Sequence, residues 1–186
     1  MGSWLKRNQL GDAKLSRDEQ REFRAKMQGR VRSHPAAMRL LKNFRKYGRA
    51  GAEIYTQHDD GEGNPRYFHV LSTGLWCDKR KKIEPLEINE RTVQYLLKNG
   101  GINPEHITNK SFDNDVAPVI YLRQASIGGG LLIVGAHRYV AFAQYARIQG
   151  IRVNVVSAYI LKPSEWKKFV IPPDIADIFQ LDKGVK

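Results

Sequence analysis

The chain has 186 residues, 41% of them hydrophobic, one cysteine, and a formal net charge of +12. That is the make-up of one ordinary domain, or of a domain of about 130 residues behind an arm, and it excludes a wholly disordered chain. No apolar run approaches a membrane span and no signal-peptide pattern stands at the N-terminus, so a cytoplasmic protein without membrane insertion is expected.

The charge is unevenly spread. Residues 1–50 hold 14 Lys/Arg against 4 Asp/Glu, a net +10, which leaves +2 for the other 136. The positive field therefore belongs to the N-terminal region, and it points to a polyanion partner, DNA before an anionic membrane. Ser16 and Glu19 form a capping-box pattern that starts a helix at Arg17, with Phe23, Met27 and Val31 as a narrow apolar stripe. Pro35 suits the first turn of a second helix. Met38, Leu41 and Phe44 are expected to point inward, and Arg39, Lys42, Arg45 and Lys46 outward. Residues 1–52 are accordingly expected to form a basic helical arm and residues 53–186 a domain. Arg17, Arg21, Arg24, Lys42, Arg45 and Lys46 are its expected DNA contacts.

Two short β-prone runs, Glu53–Thr56 and Tyr67–Ser72, flank the turn-rich stretch QHDDGEGNPR. His58, Asp59 and Asp60 carry metal-ligand chemistry, but adjacent residues rarely converge on one ion, so a hairpin turn is the better reading. Cys77 alone excludes an internal disulfide framework, a cysteine zinc site and a CxxC redox pair, and reads as a buried packing residue. Lys79-Arg80-Lys81-Lys82 is a second basic cluster, and Lys81 and Lys82 could extend a phosphate-binding stripe.

From Ile83 the pattern is regular. KIEPLEI reads as a strand, and Asn89 can cap a helix to about Asn99 with Val93, Leu96 and Leu97 on its core face. APVIYLRQ and GGGLLIVG read as strands, Ala136–Gln149 as a helix ended by Gly150, and IRVNVVSAYIL as a further strand. Short helices over PSEWKKFV and PPDIADIF close the chain. The alternation defines an α/β (α+β) fold with a small mixed sheet. Asp113, Asn114 and Asp115 form a turn with weak metal-ligand character.

The chemistry concentrates at Gly135-Ala136-His137-Arg138, between an apolar strand and a helix. Glycine permits a tight turn and close approach of a ligand to the backbone. The helix start offers unpaired N–H groups and a positive dipole end. Arg138 adds a planar fork of donors and His137 a donor that can titrate near neutral pH. Together these residues make an anion site, with phosphate the expected anion. Tyr139 and Tyr145 on the helix read as core residues before base-stacking ones.

An apolar strand, Gly-x-His-Arg-Tyr-x-Ala, an amphipathic helix, a glycine and a Val-rich strand together resemble the ParB/sulfiredoxin superfamily, over roughly Ile83–Leu161. The resemblance implies a ParB-like nuclease-type core in which Gly135, Ala136, His137 and Arg138 cradle the phosphates of ATP or a related nucleotide. Ala136 stands where sulfiredoxins have their catalytic cysteine, so that activity is not expected. Too few residues follow Leu161 for the helix-turn-helix module of a full partition protein. The size and basic character look most similar to the small plasmid Osa-type branch, which suppresses transfer through a conjugative secretion system. In the nuclease and kinase branches a carboxylate near the first strand and helix assists the chemistry, which makes Glu87 and Glu90, with His137 and Arg138, the catalytic candidates. A divalent ion, Mg2+ first, is then the expected cofactor, with no ligand set assigned to it. Arg123, at a strand end, is a further DNA candidate. The implied activity is that of an ATPase and DNase acting on plasmid or other mobile DNA. The alternatives are a non-catalytic nucleotide- and DNA-binding regulator, or an inhibitor docking on a conjugation or secretion-system protein.

Overall fold

The structure, a computed structural model, describes residues 16–18, 21, 25, 35–47, 51, 53–57, 65–99, 102, 117–124, 130–152 and 155–179. In chain order its elements are α1 (Pro35–Tyr47), β1 (Ile54–Gln57), β2 (Arg66–His69), α2 (Val70–Arg80), β3 (Glu84–Glu87) and α3 (Glu90–Asn99). Then come β4 (Val119–Arg123), β5 (Gly130–Val134), α4 (Ala136–Ile148), β6 (Val155–Leu161), α5 (Pro163–Trp166), β7 (Val170–Ile171) and α6 (Pro173–Phe179). The fold is mixed α/β, as the alternation implied.

The described residues fall into two compact units, one from Cys77–Glu165 and one from Gln9–Trp76 with Trp166–Lys186. The expected division at residue 52 follows charge, whereas this one follows packing.

In the first unit the sheet order is β3-β6-β4-β5. β4 runs parallel to β6, and β3 and β5 lie antiparallel on the outside. α3 and α4 cover one face through Val93, Leu96, Tyr139, Val140 and Ala143, packed with Val119, Leu132, Val156, Ala158 and Ile160 of the sheet. Ala141 and Ala146 are buried, and Phe142 packs against the cluster from its edge. Leu97 is a correction: it is 38% exposed, because the contact face of α3 is centred between Val93 and Leu96. α4 ends as expected, through a Schellman arrangement in which Gly150 N–H donates to Arg147 O at 3.3 Å and Ile151 N–H to Ala146 O at 2.9 Å.

The second unit is built on the antiparallel sheet β1-β2-β7. α1 lays Ala37, Leu40 and Phe44 on Ile171, Ile175 and Ala176. Met38 does not point inward as expected but is 49% exposed, and Leu41 is half-buried at the cluster's rim. Ala37 and Phe44 are seven residues apart, two turns of one face, and the small alanine permits close approach. The run Tyr67–Ser72 is only partly a strand, since α2 begins at Val70. PSEWKKFV is likewise less helical than expected: one α turn, then a 3-10 turn over Lys167–Phe169, then β7. Here Phe68 and Trp166 meet edge to face at 5.8 Å, as do Trp76 and Phe169, and Lys168 Nζ sits 3.5 Å above the Trp76 ring.

Arg17, Asp18, Arg21 and Ala25 are helical and exposed, in keeping with a helix that starts at Arg17. Arg24, His58, Asp59, Asp60, Asp113, Asn114 and Asp115 lie outside the described residues.

Candidate functional site: the Gly135 turn

β5 delivers the chain to the turn out of register. Ile120 pairs with Val134 but Tyr121 pairs with Leu132, so Ile133 has no opposite residue and the strand is bulged immediately before Gly135. A bulge adds twist and re-aims the residues beyond it. Gly135 then adopts φ 89°, ψ 26°, the left-handed region, as N-cap of α4. Its carbonyl accepts Tyr139 N–H at 2.9 Å, the first bond of the helix. No side chain caps this helix and its first turn has no acidic residue. The leading N–H groups thus keep the anion-attracting character of a helix start.

Arg138 does not extend into solvent from this position. A Cβ placed on Gly135 would lie 2.8 Å from Arg138 Nη2 and 3.1 Å from Nε, and 2.8 Å from Val119 Cγ1. The guanidinium therefore lies directly over the glycine Cα, beside a valine that is fully buried. Burial there lowers its pKa to about 10, so it remains a cation at neutral pH. Among the described residues no carboxylate or carbonyl answers it. A cation at the positive end of a helix, desolvated and without a counter-charge, is an electrostatically costly arrangement that an anion would relieve. Ala136 and His137 are half-buried beside it.

Tyr139, the next residue, ties this turn to the Glu87–Glu90 region. Its ring is 2% exposed, and its hydroxyl accepts the Asn89 backbone N–H at 2.7 Å. Burial raises its pKa, and the charge of Glu87 acts in the same direction, so Glu87 lies within electrostatic reach of the phenol. Glu87 itself is exposed at the end of β3, paired with Val155. Glu90 is exposed in the first turn of α3 and accepts Gln94 Nε2 at 2.9 Å, while Asn89 Oδ1 caps that helix through Arg91 N–H at 2.9 Å and Thr92 N–H at 3.3 Å. The placement of Glu90 is accounted for by the helix start it supports. Among the described residues no three His, Cys, Asp or Glu side chains converge as a metal cage.

The expected DNA contacts are divided between the two units. Arg17, Arg21, Lys42, Arg45 and Lys46 are exposed in the second unit. In the first, Lys82 and Arg123 are exposed, whereas Lys81 is half-buried and ion-paired with Glu165 at 3.3 Å.

Sequence reasoning missed Tyr139 as the link to Asn89, and Val119 as the apolar neighbour of Arg138. An aromatic directly after the His-Arg pair was the available signal for the first. The second depends on strand pairing and had none. No family model, curated protein or solved structure matches the chain.

Proposed function

We propose that the Gly135 turn is a phosphate site through which this chain binds ATP or a related nucleotide, as a ParB/sulfiredoxin-like module. One observation carries the reading: the desolvated guanidinium of Arg138, unanswered among the described residues, folded over a left-handed glycine at a helix start without a side-chain cap. A phosphate oxygen there meets backbone N–H groups, a helix dipole and a planar donor fork together. The order of β4, β5, α4 and β6 supports the same reading, since the turn connects an outer strand to the helix that packs on the sheet. A Mg2+ ion would arrive with the nucleotide phosphates and supply charge neutralisation there.

The test is equilibrium binding of ATP, with and without Mg2+, to the full chain and to Arg138→Ala. Affinity is expected to fall at least about tenfold in the variant, the usual weight of a lost charge-assisted contact. Equal affinity in the two proteins would remove the turn from consideration. Phosphate release and nicking of supercoiled plasmid, measured in the same tubes and with Glu87→Gln, test whether binding leads to hydrolysis and DNA cleavage.

A further inference from the structure

The exposed side of α1 has two characters at once. Met38, Leu41, Lys42 and Arg45 stand at i, i+3, i+4 and i+7, so they share one face beside the buried row of Ala37, Leu40 and Phe44. A cavity of about 690 Å³ opens on this face, with Met38, Arg39, Leu41, Lys42, Arg45 and Lys46 as its described lining. Its floor is apolar: Met38 is half out of the fold and Leu41 half-buried. Its rim is cationic, and α1 contains no acidic residue. Arg39 is held in place by donating to Lys168 O at 3.0 Å, and Lys46 rests 5.0 Å from the Tyr47 ring centre. Lys42 and Arg45 have no ion-pair or hydrogen-bond partner among the described residues.

We infer that this face is a docking groove for an acidic, amphipathic helical segment of a partner protein. A helix read by such a groove sets apolar anchors at i, i+3 or i+4, and i+7 into the floor. Its flanking carboxylates then meet Lys42, Arg45 and Lys46. The cavity volume suits a few large side chains. Methionine is the apolar side chain best able to re-pack around anchors of different shape. DNA fits the rim but not the floor: phosphates gain nothing from Met38 and Leu41, whereas burying them on an apolar anchor contributes directly. Charge complementarity thus selects an acidic partner, and the apolar floor selects a protein over a nucleic acid.

The experiment uses the full chain and fluorescence anisotropy. The probes are a labelled amphipathic peptide with Leu anchors at i, i+3 and i+7 and Glu on both flanks, a scrambled peptide of the same composition, and a short DNA duplex. Vesicles containing anionic lipid are assayed by co-sedimentation. Proteins compared are the natural sequence, Met38→Asp, Met38→Ser, and the double change Lys42→Glu with Arg45→Glu. Circular dichroism of each variant identifies any that fail to fold, and Met38→Ser covers the loss of Met38→Asp.

The expected result is binding of the amphipathic peptide alone, weakened at least tenfold by either Met38 change and by the charge reversal. Absence of peptide binding, or equal binding of the scrambled peptide, would overturn the proposal. So would tighter binding of DNA or vesicles that is sensitive to the charge reversal and indifferent to Met38.

Discussion

Tyr139 Oη accepts the Asn89 backbone N–H across 2.7 Å, and this bond adds a polar tie to the apolar packing between α4, which carries the Gly135 turn, and the start of α3. Asn89 is at once a cap and a tether. Its side chain serves Arg91 and Thr92 N–H, while its own N–H is held by a phenol fifty residues away. Changing Tyr139 to Phe keeps the packing and removes the acceptor. A partly buried N–H left without a partner costs about 1–3 kcal/mol. The variant should show that loss in urea unfolding with an unchanged m-value, and a retained far-ultraviolet dichroism spectrum.

Gly135→Ala meets two obstacles. At φ 89° the left-handed conformation costs a Cβ-bearing residue about 1–2 kcal/mol. The added methyl also runs into Val119 Cγ1, which is in the core, and into the Arg138 guanidinium. Arg138 can swing away but Val119 cannot. The expected outcome is a destabilisation of about 2–4 kcal/mol, seen as a lowered denaturation midpoint, together with weakened ATP binding. An alanine variant of full stability would mean that the turn is not held in this conformation.

Much of the first unit was legible in the chain, because β4, β5, α4 and β6 are bounded by Pro118, Gly135 and Gly150 and their apolar runs are long. The site was legible to the level of residue type: Gly135, His137 and Arg138 stand at the junction where the sequence put them. What the guanidinium does there was not, because its desolvation comes from burial in the folded chain, beside Val119 of β4. Helix α2 was not legible either. Its sequence VLSTGLWCDKR sets Val70, Thr73, Gly74 and Trp76, types that disfavour helix, into its first two turns. Burial in the fold overrides that preference, since Leu71 and Cys77 are fully buried. On α1 Phe44 points inward as expected, but Ala37 and Leu40 take the places expected of Met38 and Leu41, since alanine at 37 carries little apolar weight in a pattern although it is fully buried.

The second unit carries a titratable group in its interior. His69 is 3% exposed, and its Nε2–H donates to Gly51 O at 2.8 Å, a carbonyl that can only accept. Burial pulls its pKa down to about 4, against the Gly51 bond and with a smaller contribution from the Arg39 charge. In the unfolded chain the same histidine titrates near its ordinary 6.5. Between these values the unfolded state binds the extra proton. The contribution is therefore fully present above about pH 6.5 and is lost progressively as pH falls toward 4, by about 3 kcal/mol at most. Urea unfolding at stepped pH should show this slope, and His69→Gln should flatten it whatever its own stability. A slope unchanged in that variant would assign the pH dependence to other groups.

At Arg138 the proposed ligand binding and the stability of the fold can be read separately. Its charge sits at the positive end of α4, desolvated and unanswered among the described residues. Arg138→Met replaces the arginine by a shorter unbranched apolar side chain, which keeps the aliphatic stem while it deletes the charge. Relief of the unfavourable helix-end interaction is worth about 0.3–1 kcal/mol, and the loss of the desolvation cost adds to it. Without ligand, the methionine variant should therefore melt at the same temperature as the natural sequence or a few degrees higher. With ATP present the order should reverse, because a ligand that binds only the folded natural protein raises its stability by mass action. Differential scanning calorimetry across an ATP titration reads both effects in one series. A methionine variant that is strongly destabilised without ligand would show that Arg138 has a structural partner, and that its charge is not held in wait for a phosphate.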